Sequence, residues 1–151
     1  MKFVLLVILS VIILSTACNK DKRQSKKLMR GETWRVSQLM VNGASEDVVK
    51  KMVFSKCDIY DEYCIALWIS NDDDTASFYW QMNEKGSEFK LMRFNDADSC
   101  CSNTTQADYY CFQLSGSYNV IKAKRNIMEF ESTTTIGYSG QKVRMVLEKT
   151  E

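Results

Sequence analysis

From Trp34 onward, apolar and polar positions alternate in short runs rich in Val, Ile, Phe, Tyr and Trp, each run closed by turn residues. Period-two alternation is the mark of a strand with one buried face. It predicts strands near 33–41, 51–57, 63–70, 76–83, 87–94, 109–122, 126–132 and 141–149. Phe78, Trp80 and Met82 share a face, as do Phe89 and Leu91, and as do Val143, Met145 and Leu147. The sixth run is long enough that it must bend or split at Ser115-Gly116. No helix-length stretch carries a sustained 3.6-residue apolar stripe. The best helical candidate is a turn or two around residues 45–51, where Ser45, Glu46 and Asp47 supply a capping start.

About eight antiparallel strands joined as hairpins imply an all-β fold, an antiparallel up-and-down barrel whose closure removes the sheet edges. A two-sheet sandwich is the runner-up architecture. In the barrel, successive connections alternate between the two ends. Residues 42–50, 71–75, 95–108 and 133–140 then fall at one end, and 58–62, 84–86 and 123–125, shorter on the whole, at the other. Long connections on a rigid scaffold are where recognition concentrates, so the first end is the expected mouth.

The chain opens differently. Met1-Lys2 precedes an apolar run from Phe3 to Leu14, then Ser15, Thr16, Ala17 and Cys18. A basic start, a short apolar run and small residues form a secretory signal. The run is too short for the roughly 20 apolar residues of a spanning helix. Leu14-Ser15-Thr16-Ala17-Cys18 resembles the lipobox of bacterial lipoproteins, with Ser15 where Leu is usual. The resemblance implies a signal peptide over 1–17, cleavage before Cys18, and a lipid carrying fatty-acyl (palmitate) chains on that sulfur. Residues 18–30 read as the lipidated cysteine and a flexible basic tether, and 31–151 as the barrel domain. Asn19, in place of the Asp that retains many lipoproteins at the inner membrane, favours the outer membrane of the cell envelope.

Removing 17 of 151 residues leaves 134 and takes one charge, Lys2, so 20 basic residues become 19 against 19 acidic. A net charge near zero argues against nucleic acid as partner. The chain has no histidine, which removes Ser-His-Asp, Cys-His and the common zinc-hydrolase arrangements together. No spacing singles out a carboxylate pair, and no glycine-rich phosphate loop is present. The expectation is a non-enzymatic protein without cofactor or metal. Asp72, Asp73 and Asp74, with Asp96 and Asp98, have carboxylates suited to calcium, but acidic solvated turns are the simpler reading.

With Cys18 committed to lipid, Cys57, Cys64, Cys100, Cys101 and Cys111 remain as disulfide candidates in an oxidising compartment. Cys57 and Cys64 flank a short connection and suit a cross-hairpin bridge. Cys111 is expected to pair with Cys100 or Cys101, leaving one thiol over.

Gly31-Glu32-Thr33-Trp34-Arg35-Val36, Val41-Asn42-Gly43, Met52-Val53-Phe54, the aromatic strand around Trp80 and the closing run from Gly140 to Lys149 together resemble the small lipocalin-like lipoproteins of Gram-negative bacteria. The resemblance spans roughly residues 31–149 and rests mostly on strand rhythm. Lipocalins proper carry Gly-x-Trp, whereas the spacing here is Gly31-x-x-Trp34. It implies a barrel floor closed by Trp34 under an arginine of the last strand, the place Arg144 would fill; otherwise Trp34 is simply a core aromatic. It also implies a binding domain for a small apolar or amphipathic ligand. The second expectation is a protein-interaction module, such as an inhibitor of a lysozyme or protease or an accessory subunit of an outer-membrane complex.

Overall fold

The computed structural model describes residues 28, 32–47, 51–57, 63–83, 85–93 and 105–150. The signal segment, Cys18, and Cys100 and Cys101 lie outside these residues. The elements run β1 (Thr33–Val41), β2 (Ala44–Ser45), β3 (Lys51–Phe54), β4 (Cys64–Ile69), β5 (Thr75–Met82), β6 (Glu88–Arg93), α1 (Gln106–Gln113), β7 (Gly116–Ala123), β8 (Ile127–Ser132) and β9 (Val143–Lys149). Each strand pairs antiparallel with the next around the sheet, and β1 pairs with β9 as well. The result is a closed up-and-down barrel of eight strands, with the two-residue β2 added as an extra strand on β1.

Alternation determines which side chains point inward. Phe54, Ala66 and Phe78 lie in register across β3, β4 and β5, as do Phe130, Met145 and Leu39 across β8, β9 and β1. All six are buried. Burying a large apolar side chain is worth ~1.5–3 kcal/mol. The outward pairs Arg35–Glu148 (2.7 Å) and Arg144–Glu129 (2.7 Å) also tie β9 to its neighbours. Exposed ion pairs contribute only ~0–1 kcal/mol each, so closure rests on the inward apolar rows.

Two expectations are corrected here. Residues 45–51 are not helical where described. Asn42 and Gly43 both take positive φ, 49° and 87°, the backbone of a two-residue hairpin turn. Ala44 and Ser45 therefore fold back on Val41 and Met40 as β2, and Lys51 already begins β3. The long sixth strand does divide at Ser115-Gly116, but its first half is α1. Thr105 caps that helix by accepting the Asp108 N–H at 3.2 Å. Ala107, Cys111 and Leu114 are buried at helical spacing, a stripe masked in sequence by the β-favouring Tyr109, Tyr110 and Phe112.

Candidate interaction surface at the capped end

The barrel interior holds a chain of aromatic rings. Phe54 meets Trp80 edge-on at 5.4 Å, Trp80 stacks on Phe89 at 6.2 Å, and Phe89 lies 4.7 Å from Phe130. Phe89 also approaches Tyr118, and Trp68 approaches Phe78, both at 6.3 Å. The chain runs from β3 through β5 and β6 to β8, so side chains occupy a large part of the lumen. The indole Nε1 atoms of Trp34, Trp68 and Trp80 are buried and have no hydrogen-bond partner among the described residues.

The β1–β3, β4–β5, β6–β7 and β8–β9 connections meet at one end, as the alternation requires, and they are hydrogen-bonded into a ring. Asn71 Nδ2 donates to the Asp47 carbonyl at 2.8 Å, joining β4–β5 to β1–β3. The Ala107 N–H donates to the Asp74 carboxylate at 3.2 Å, joining α1 to β4–β5. The Gly137 N–H donates to the Gln113 carbonyl at 2.9 Å, joining β8–β9 to α1. The Asn42 N–H donates to the Lys142 carbonyl at 2.8 Å and closes the ring. A Cβ on Gly116 would lie 2.9 Å from the Thr134 oxygen and from Thr135 Cα, so the 133–142 segment presses directly on the barrel rim.

Further contacts hold α1 over the mouth. Arg93 grips Asp108 through Nε (2.9 Å) and Nη2 (2.5 Å), and its guanidinium lies 5.8 Å from the Phe112 ring centroid. Tyr118 donates its hydroxyl to the Leu114 carbonyl at 2.5 Å. Ser70 donates its hydroxyl to Asp74. That bond is the largest cause holding the Asp74 carboxyl below its ordinary value, and the Ala107 and Gln106 amides add to it against an opposing effect of burial. The aspartate run therefore contributes a structural tie to the helix. Among the described residues no group of Cys, Asp or Glu is arranged to hold a metal ion; Asp96 and Asp98 lie outside them.

On top of this cap sit Tyr109 (49 % exposed) and Ile136 (53 %). Tyr109 packs edge-on against Tyr110 at 5.2 Å. Burial first, then the charge of Glu46 and the neighbouring Tyr110 and Tyr109, pushes the Tyr138 phenol above its usual value. These groups thus form one neighbourhood. A second apolar area lies on the outer wall. β4 is apolar on both faces, with Ile65 (43 %) and Leu67 (37 %) exposed, Tyr63 (44 %) exposed just before it, and Ile65 opposite Tyr79.

Cys57 and Cys64 form the expected disulfide across the β3–β4 connection, with Cα atoms 5.7 Å apart. Cys111 is corrected: it is a free thiol, buried on the inner face of α1. The helix turns it into the core; Cys100 and Cys101 lie outside the described residues. The Trp34–Arg144 pair is also corrected. Trp34 is a buried core aromatic opposite Lys149, whereas Arg144 lies opposite Met40. Five residues of β9, about 17 Å, separate the two levels, and Arg144 faces outward to Glu129.

Sequence reasoning missed Arg93 and Tyr138, and it read Asp74 as a calcium-suited or solvated turn acid where it is a tie to the helix. Helical spacing over 107–114 was the available signal for the cap; their pairings carry none. No protein-family model matches the chain, and no curated protein matches it.

Proposed function

We propose that this chain is a lipid-anchored, non-enzymatic interaction module of the cell envelope, held at the outer membrane through Cys18 and presenting its capped end to a protein partner. The observation that carries this reading is the combination of a ring-filled lumen and a cap laced by backbone hydrogen bonds. A carrier needs a cavity of ~300 Å³ or more; here the rings take up the interior and α1 covers its mouth. The closed eight-stranded barrel supports kinship with lipocalin-like lipoproteins, while the Gly31-x-x-Trp34 spacing and the position of Arg144 count against a lipocalin proper.

The carrier of a small apolar or amphipathic ligand remains the second reading, favoured by the three orphan indole N–H groups. Buried donors without partners cost free energy, and a ligand acceptor or bound water would satisfy them. Native mass spectrometry of the mature chain in mild detergent separates these outcomes. The expected result is acyl mass on Cys18 and no further small molecule. A stoichiometric co-purifying molecule would put the carrier first, and an unacylated Cys18 would remove the anchor.

A further inference from the structure

We infer that the capped end is a docking surface for a protein with a cationic face, an inference that rests on the interaction reading above. The charge distribution along the barrel axis points there. Among the described residues, the connections at the capped end (42–47, 70–74, 105–115 and 133–142) carry six acidic residues and one basic one. Those at the opposite end (55–57, 63, 83, 85–87 and 124–126) carry four basic residues and no acidic one among the described residues. The mature chain is near neutral overall, so the excess is local. β1 begins at the far end, and the sequence that precedes it carries six basic residues and one acid between Asn19 and Arg30. A chain tethered there holds its acidic cap away from the anchor.

The cap has the chemistry of an interface as well as its charge. Tyr109 and Ile136 are exposed, and Tyr110 and Tyr138 are half-buried beside them. Tyrosines give large contact area at low entropy cost and are enriched where binding energy concentrates. Asp47, Asp72 and Asp73 are exposed around this area, an acidic rim that steers a basic partner and disfavours an acidic one. A second copy would set acidic rim against acidic rim. Arg93, beside the helix, is taken up by Asp108. Ile65 and Leu67 lie on the outer face of β4, Ile65 opposite Tyr79 and near the end of the strand away from the cap, and this wall serves as the control surface.

The test is photo-cross-linking of the full chain in the cells that make it, with a photoreactive residue at position 109, 136 or 65. The expected result is one reproducible protein adduct from 109 and 136, cross-linked at a Lys- or Arg-rich surface. It should fall severalfold in Asp72→Lys/Asp73→Lys. With the purified partner, affinity should weaken as salt is raised. Absence of adducts at 109 and 136, an adduct at 65 alone, a self-adduct, or an adduct indifferent to the charge reversal would each overturn the proposal. A small molecule found in the lumen would instead overturn the interaction reading, so the two failures are distinguishable.

Discussion

At the scale of single residues, burial governs the chemistry. Cys111 is fully buried, and its thiol is pushed from the ordinary 9.0 up to about 12, chiefly by desolvation, with Asp108 adding to the rise and Arg93 opposing it. The folded thiol therefore keeps its proton at pH values where the unfolded one has lost it. The stability this contributes is fully present below pH 9 and is lost as pH rises toward about 12. Tyr118, whose phenol is likewise raised by burial, acts in the same direction. Urea unfolding followed from pH 7 to pH 11 should show falling stability, and Cys111→Ala should make that fall shallower. Iodoacetamide should label Cys111 only after unfolding, because a buried neutral thiol is a poor nucleophile. Rapid labelling in the folded state would contradict the burial.

The decisive element is α1. Its residues read as strand because Tyr, Phe and Cys are β-favouring, and a helix of eight residues is too short to be stable alone. Packing over the mouth and ties to other connections stabilise it. Asp74 is the tie most open to experiment. Its carboxyl is held below the ordinary 3.8, so its contribution is present above that value and is lost as pH falls below it. Asp74→Ala should remove the acceptor of the Ala107 N–H and cost about 1 kcal/mol, the size of a lost helix cap. Hydrogen exchange over 107–113 should quicken in the variant, and its stability should depend less on pH in the acid range. Unchanged exchange would mean that the helix is held by packing alone.

Over the whole molecule, closure and filling come from the same inward side chains. Phe89 contacts Trp80, Tyr118 and Phe130, so its ring joins three strands of the lumen. Phe89→Ala should destabilise by ~3–5 kcal/mol, as large-to-small changes in packed cores do. Ile65→Glu on the outer wall should stay within about 0.5 kcal/mol. Chemical denaturation of both variants checks the contrast, and a mild effect at Phe89 would indicate a looser lumen with room for a ligand.

The all-β class, seven of the predicted strands and the placing of the two longest connections, 94–115 and 133–142, at one end were legible in the sequence. Alternation has a period of two, and it reports which face is buried whatever the partner. Cys57 and Cys64 were legible too, because they flank a short connection between neighbouring strands. Residues whose roles depend on non-local partners were not. The helix over 106–113 needed the barrel mouth beneath it and Asp74 beside it. The free state of Cys111 follows from that helix, and the separation of Trp34 from Arg144 follows from the β1–β9 register. Local pattern specifies a strand's buried face; which strands meet, at what register, and what fills or covers the space between them is decided only by closure of the barrel.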